Sequence, residues 1–453
     1  MASTYLKRTN GTPTNDKIGT ISVWVKRSKL GTDQRITMNF ADGSNYAYLR
    51  FTDGDVIEVY GVASGSQSTQ IRTNRKFKDT NAWYHIVLAI DTTQGTSTNR
   101  MKIYVNGVQE TSMSHTDYWG QNETCQLFIA SGSNYHTVGS AENGTVSFDG
   151  SMSHFHKCDG TALAPTVFGS TDSTTGEWEI NTSPSFTVGN TGYTILKDGN
   201  TITDQSSNSN DFTLGAGTLT KTEDCPSNVF ATLNPLNLQA GTKPVLQYGN
   251  TSIAGSTDGG VFFNGTSTLG MTSGKFYCEF KLTSASNNYP IFGITGNPSE
   301  DARNNRYMGY DATSYGYYGS NGNKYNNNSS TSWATSWNAQ NDIVGCAVDL
   351  DNLKIYFHKN GTWQDSGDPT SGSTGTGSPF TLTAPSLTPA GAYFFGTSDG
   401  SSNYASVGDF NFGNGYFGTT AVASAGSNAS GIGIFEYDVP TGYTALSTKG
   451  LNL

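Results

Sequence analysis

The chain has 453 residues, a formal net charge of −10 and a pI near 5.0; 14% of residues are charged, 34% apolar and 12% aromatic, and 54 are glycine. No basic stripe is present to neutralise phosphates, which argues against a nucleic-acid partner, and no apolar run is long enough to span a bilayer, which argues against membrane insertion. Aromatic richness with low charge also excludes a disordered chain.

Sustained helical periodicity is absent, so the pattern predicts an all-β protein. The opening MASTYLKRTN has no apolar stretch and does not read as a secretion signal. Alternating side chains predict strands over residues 21–25, 46–51 and 56–60, with Asp53-Gly-Asp55 as a turn before the last. Residues 83–90 form another, followed by Lys102-Ile-Tyr-Val-Asn-Gly-Val-Gln109. Its Asn106-Gly107 supplies the positive φ that a tight I′ hairpin turn requires. Strands are expected again at 126–129 and 146–148. From about 186 to 240 the texture changes, with DQSSNSNDF at 204–212 and ATLNPL at 231–236; this reads as a connector of irregular loop and short strand. Strands resume at 261–263, 275–282 and 291–294. The run 342–350 then leads through a turn at Asp351-Asn352 into Lys354-Ile-Tyr-Phe-His-Lys-Asn-Gly-Thr-Trp-Gln364. The hairpin phrase therefore occurs twice, the second time with Asn360-Gly361. A last strand is expected at 392–395, and residues 326–332 and 366–379 read as long loops.

The cysteines, Cys125, Cys158, Cys225, Cys278 and Cys346, are odd in number, scattered and never spaced CxxC, and so read as reduced thiols. With no leader, the expectation is synthesis in a cytoplasm, while the polar, aromatic-dotted surface suits work outside cells. The connector carries Phe212, Leu214, Leu219, Val229, Phe230, Leu233 and Leu236. Each can contribute roughly 1.5–3 kcal/mol when buried, so the expectation is a packed connector that holds two domains in one orientation.

At this point the residues carry a resemblance. Residues 1–185, with Ile-Ser-Val-Trp-Val-Lys-Arg at 21–27, the 82–89 strand and Lys-Ile-Tyr-Val-Asn-Gly-Val, resemble a laminin-G-like, concanavalin A-like lectin/glucanase sandwich. Residues 241–453 contain Gly274-Lys-Phe-Tyr-Cys-Glu-Phe, Phe292-Gly-Ile-Thr, Tyr315-Gly-Tyr-Tyr-Gly319, the 342–361 hairpin and Asp409-Phe-Asn-Phe-Gly413, and resemble a SPRY domain with a C-terminal extension. The implied fold is two antiparallel jelly-roll β-sandwiches joined by an irregular packed connector, 186–240. The pairing, with its connector motifs and the closing Val439-Pro-Thr-Gly-Tyr-Thr-Ala-Leu446, is similar to structural proteins of tailed phages, marine ones in particular. The resemblance implies a non-enzymatic virion component, made in the host cytoplasm and displayed as a tail-fibre or appendage tip or as a knob-like capsid decoration. Its implied partners are other virion proteins, further copies of itself in a symmetric set, and host-surface glycans. The competing reading is a polysaccharide depolymerase of the glucanase type.

The chemistry in the residues separates these only weakly. A retaining glucanase needs two carboxyl groups a short distance apart; no Glu-x-Asp-x-x-Glu run occurs, and Glu177-Trp-Glu179 is better explained as a solvated strand face. His154-Phe-His156 has the spacing of a metal pair, yet no third ligand is defined. No cofactor is called for, but laminin-G-like domains hold calcium at the sandwich rim through hard oxygen ligands; Asp53 and Asp55 are the candidates, with Asp42 near. For glycan binding, Tyr315, Tyr317, Tyr318, Tyr325, Trp333 and Trp337 lie in an Asn-rich, loop-rich stretch. Neighbours on a strand point oppositely, so Tyr317 and Tyr318 cannot share a sheet face.

Overall fold

A computed structural model describes residues 4–197, 201–238, 244–254, 262–284, 289–399 and 407–453. The predicted strand at 261–263 lies partly outside these. The chain divides into two compact units, residues 1–221 and 222–453.

In the first unit the strands are β1 (Tyr5–Arg8), β2 (Ile18–Arg27), β3 (Gln34–Asp42), β4 (Asn45–Phe51), β5 (Val56–Ala63) and β6 (Ser66–Lys76). They continue as β7 (Trp83–Asp91), β8 (Met101–Val105), β9 (Val108–Gln109), β10 (Met113–Asp117), β11 (His136–Val138) and β12 (Gly150–Asp159). Four short strands close the unit: β13 (Gly169–Thr171), β14 (Trp178–Ile180), β15 (Tyr193–Ile195) and β16 (Thr213–Ala216). One sheet runs β10-β6-β5-β4-β3-β11-β1-β16 and the other β15-β12-β2-β7-β8-β9. Ile36, Leu49, Val59 and Ile71 from the first meet Ile21, Val23, Ile86 and Leu88 from the second in one core. Alternation along each strand sends the other side chains outward.

The second unit begins with β17 (Val245–Gln247), β18 (Ser252–Ala254), β19 (Phe263–Thr266), β20 (Lys275–Ser284), β21 (Pro290–Thr295) and β22 (Ser314–Tyr318). Next come β23 (Lys324–Asn326), β24 (Ser329–Thr331), β25 (Ile343–Asp349), β26 (Lys354–Lys359), β27 (Thr362–Trp363), β28 (Phe394–Asp399) and β29 (Val407–Asn411). Its two main sheets run β17-β18-β29-β20-β25-β26-β27 and β19-β28-β21-β22-β23-β24. Phe280, Phe292, Tyr317, Trp337, Phe357 and Phe410 fill the space between. On the far side of the first of these sheets, Phe435, Val439 and Tyr443 from the C-terminal stretch pack on Tyr277, Ala347 and Tyr356. The protein is all-β, two antiparallel sandwiches, as expected.

Both predicted hairpins form. Asn106 and Gly107 have φ of 50° and 77°, and Asn360 and Gly361 have 49° and 82°, the positive pair of a I′ turn. Each asparagine also accepts a backbone N–H across the hairpin, from His85 at 2.8 Å and from Ile343 at 2.8 Å. Each glycine lies under an aromatic ring supplied from further along its own unit. A Cβ on Gly107 would sit 2.4 Å from the Trp178 ring, and one on Gly361 would sit 2.8 Å from that of Tyr437. Gly107→Ala is therefore expected to destabilise the first unit by about 2 kcal/mol or more, from the left-handed backbone plus the displaced ring. Gly31→Ala, at φ 69° with open space around it, should lose only the backbone part. Urea unfolding midpoints of the two variants check this.

Three expectations differ from the structure. Residues 126–129 are a turn, whose Leu127 and Phe128 are nevertheless fully buried, and 146–148 make only an isolated bridge. Residues 326–332, expected as loop, contribute the β23–β24 hairpin. In the 186–240 stretch, Phe212 and Leu219 pack into the first unit's core, and Phe230 and Leu233 into clusters of the second, while Leu214 and Leu236 are exposed. Among the described residues no helix is long and apolar enough to cross a membrane.

Candidate functional site

The two faces of the first unit that point away from its core are treated differently. On the second sheet, Trp24, His85 and Trp178 stack in series at 4.7 and 5.9 Å, and His156 stacks on Phe168 at 5.4 Å. Trp178 Nε1 donates to His85 Nδ1 at 2.9 Å. Residues 165–186 thus roof this sheet, and burial takes His85 and His156 down to about 3.

The first sheet carries its outward side chains in two adjacent cross-strand rows. One row is charged: Arg35 on β3 opposes Arg50 on β4, which opposes Glu58 on β5, which opposes Arg72 on β6. The next is mainly aromatic: Met38, Tyr48, Tyr60 and Gln70 on the same four strands. Phe40 and Tyr46 extend it at a third level. Ring centroids step from Phe40 to Tyr46 at 6.1 Å, to Tyr48 at 6.4 Å and to Tyr60 at 5.4 Å. Tyr48 is buried under Ala141 and Val146, while Phe40, Tyr46 and Tyr60 are half-buried.

Most of the charge in the first row is matched. Glu58 accepts from Arg50 Nε at 2.5 Å, Gln70 Nε2 at 2.8 Å and Arg72 Nε at 2.9 Å, and Arg50 Nη1 reaches Asp33 at 2.6 Å. Burial pushes the Glu58 carboxyl up, but the hydrogen bonds from Gln70 and Arg72 and the Arg50 charge outweigh it and hold it below the ordinary range. The Arg35 guanidinium lies 3.4 Å from the centre of the Tyr48 ring, and burial lowers its pKa. Burial likewise pushes Tyr48 up to about 12, against the pull of Arg50 and Arg35. Flat rings beside fixed guanidinium and amide donors are the groups that recognise a sugar, through its C–H faces and its hydroxyls.

The six aromatic residues expected to form a platform in the second half do not share a surface. Tyr315, Tyr317 and Trp337 are 3%, 0% and 0% exposed, members of the core between the sheets. Trp333 is half-buried and packs edge-on against Tyr317 at 5.1 Å. Tyr318 does face the other way, as alternation requires, yet it is covered by Tyr289 and Tyr325. Tyr325 is half-buried like Trp333 and lies beside Tyr307. Abundant aromatic side chains on both sides of β22 bury one another, and no platform results.

The calcium candidates also have other work. Asp55 is buried and pairs with the buried Arg27 at 3.0 Å, accepts the Gly31 N–H at 2.8 Å and lies 3.7 Å from Lys78. It is the counter-ion of an interior guanidinium, whereas Asp53 is exposed at the turn. Asp42 caps its own hairpin through Ser44 N and Asn45. Among the described residues no group of three or more His, Cys, Asp or Glu is placed to hold a metal ion. Glu177 and Glu179 are exposed on either side of Trp178, and His154 and His156 lie 6.2 Å apart, His156 bonded to Thr194.

The outward rows of the first sheet leave only a faint trace in the sequence. Their signal is the alternation Tyr46-x-Tyr48-x-Arg50, Glu58-x-Tyr60 and Gln70-x-Arg72, polar and aromatic side chains on the face opposite the apolar ones.

Comparison with known proteins agrees with this architecture. Residues 2–167 match the family described as the concanavalin A-like lectin/glucanases superfamily, in its laminin G form, and residues 275–380 match the SPRY domain. The chain therefore joins a concanavalin A-like domain to a SPRY domain. Over 89 residues it is 32% identical to the Drosophila melanogaster "Ran-binding proteins 9/10 homolog", spanning 19% of this chain and 9% of that protein. Among solved structures, the SPRY domain of human HERC1 is similar at 18% identity, over 39% of this chain and 96% of that one, with a TM-score of 0.30. A heptameric SAP-like pentraxin from Limulus polyphemus is similar at 15% identity, over 36% and 72%, with a TM-score of 0.26.

Proposed function

We propose that this chain is a non-enzymatic binding and display component of a tailed-phage particle, and that its first unit takes a host-surface glycan on the outward face of the β6-β5-β4-β3 sheet. The observation that carries the binding is the pair of adjacent rows, guanidinium and aromatic, on a sheet face that the 165–186 roof does not cover and where Arg35, Arg50, Arg72, Phe40, Tyr46 and Tyr60 remain part-exposed beside the buried Tyr48. The absence of enzymatic activity is supported by Glu58. A glycosidase needs an acid whose pKa is raised, paired with a second carboxyl; Glu58 is held low and both its oxygens are occupied by donors. The virion role rests on the resemblance of the domain pair and its connector motifs to phage structural proteins, with further copies and other virion proteins as partners, at a tail-fibre or appendage tip or as a knob on the capsid. The second unit, as a SPRY domain, is suited to docking on such a protein partner.

Two experiments test this. Mass spectrometry of purified particles should find the chain, and its absence from them sinks the virion role. On a panel of bacterial surface polysaccharides the protein should bind without releasing reducing ends, and Tyr60→Ala should weaken binding roughly tenfold, the scale of one lost ring contact. Release of reducing ends would establish the depolymerase instead.

A further inference from the structure

We infer that the glycan held by the first unit is acidic, a saccharide bearing carboxylates, and that Arg35 is the residue that meets a carboxylate. This rests on the reading of the outward face as a glycan site and adds the class of ligand.

Two like charges stand side by side on this face. Arg35 and Arg50 stand directly opposite each other on β3 and β4, and like charges in that relation destabilise a sheet. Arg50 is compensated by Glu58 and Asp33. Arg35 has no such direct pair: among the described residues no carboxylate lies within ion-pair distance of it, although the Glu142 and Asp33 charges are near enough to favour its charged form; its Nη1 reaches the Met38 sulfur at 3.4 Å, and its Nε is buried with no hydrogen-bond partner. Of the three guanidiniums on this row, Arg50 and Arg72 are in direct ion pairs, and among the described residues Arg35 is the one without a carboxylate in contact.

Geometry selects the kind of anion. Stacking on Tyr48 fixes the guanidinium plane, so that its donors project from the edge of that plane rather than sweep a volume. A planar fork of N–H groups matches a planar carboxylate with two parallel bonds. Tyr46 and Tyr60 lie in the neighbouring rows, about 7 Å along the strands for each two residues, where a sugar ring attached to that carboxylate can lie on them.

The test uses the full chain and defined ligands. Calorimetric titration with oligogalacturonate or oligoalginate is compared with the same oligomers after their carboxyl groups have been reduced to alcohols, and with a sulfated oligosaccharide of similar length. The uronates should bind at least tenfold more tightly than their reduced forms, with affinity falling as salt is raised. Arg35→Gln should shrink that tenfold gap to less than threefold, and Arg35→Lys should restore part of it; unfolding curves of each variant establish that the unit is folded. The wild-type comparison needs no variant at all. Equal affinity for acidic and reduced oligomers overturns the inference and leaves glycan binding standing. Preference for the sulfated ligand overturns the carboxylate assignment, and no binding to any of the three overturns the glycan reading itself.

Discussion

Glu279→Ala is expected to lower the stability of the second unit by about 4 kcal/mol or more, since several buried donors lose their acceptor at once and each such loss costs about 1–3 kcal/mol. Glu279 is fully buried on β20. Its carboxylate accepts the backbone N–H groups of Glu436 and Tyr437 at 2.9 Å each, Tyr277 Oη at 3.0 Å and Asn411 Nδ2 at 3.1 Å. His358 Nε2 stands 2.5 Å from the same Tyr277 hydroxyl. This one side chain anchors the C-terminal stretch against the sheet, so amide exchange at Glu436 and Tyr437 should accelerate in the variant together with the fall in stability. Burial pushes Glu279 up to about 7 from 4.5, and the Glu436, Tyr437, Tyr277 and Asn411 donors keep it from rising further. The folded value lies above the unfolded one, so the group's contribution is complete below pH 4.5 and is lost as pH rises through about 7. Urea unfolding of the second unit should weaken by about 3 kcal/mol across that window from this group. A Glu279→Gln protein that keeps the same slope would show that another group is responsible.

Lys157→Met works in the opposite direction, and is expected to stabilise the first unit by about 3 kcal/mol or more at pH 6. Lys157 lies on β12, two residues beyond the core residue Phe155, and is 0% exposed. Its Nζ has no hydrogen-bond partner and faces the Phe128 ring at 5.5 Å. Burial lowers its pKa from 10.5 to about 7, with the Arg8 charge adding to the effect and Asp159 and Cys125 opposing it. The folded value is depressed, so stability is complete above pH 10.5 and is lost as pH falls through about 7. Methionine has a similar length and no charge to desolvate. Its gain should therefore be large at pH 6 and small at pH 10, and equal gains at both would overturn the explanation.

The parts of the fold that sequence reveals are those with short-range physics. Asn106-Gly107 and Asn360-Gly361 announce their hairpins because two positive φ values in succession admit few residue types. Alternation also separates Tyr317 from Tyr318 correctly. It does not say which aromatic side chains another element will cover, and that decides against the platform at 315–337. The binding rows are hidden for a different reason. Arg35 opposes Arg50 only because β3 shifts register between Arg35 and Thr37 and again between Phe40 and Asp42, and bulges of this kind leave no periodic trace. Leu127 and Phe128 show the converse, an apolar run that reads as strand but buries a turn. Trp178 is missed as a cover for Gly107 because their contact joins residues far apart along the chain.

The position of β1 has a consequence for biosynthesis. It pairs with β11 on one side and with β16 on the other, so after it leaves the ribosome this strand has an unsatisfied edge until residue 216 has followed it. At about 5–20 residues per second that interval is roughly 10–40 s. Throughout it the nascent sheet offers a free hydrogen-bonding margin to neighbouring chains, a hazard that exposed edges carry generally. The strand is short and bears Lys7 and Arg8, the charges that discourage such pairing. A fragment halted at residue 185 would keep that margin open permanently, and self-association through it is what its expression should reveal.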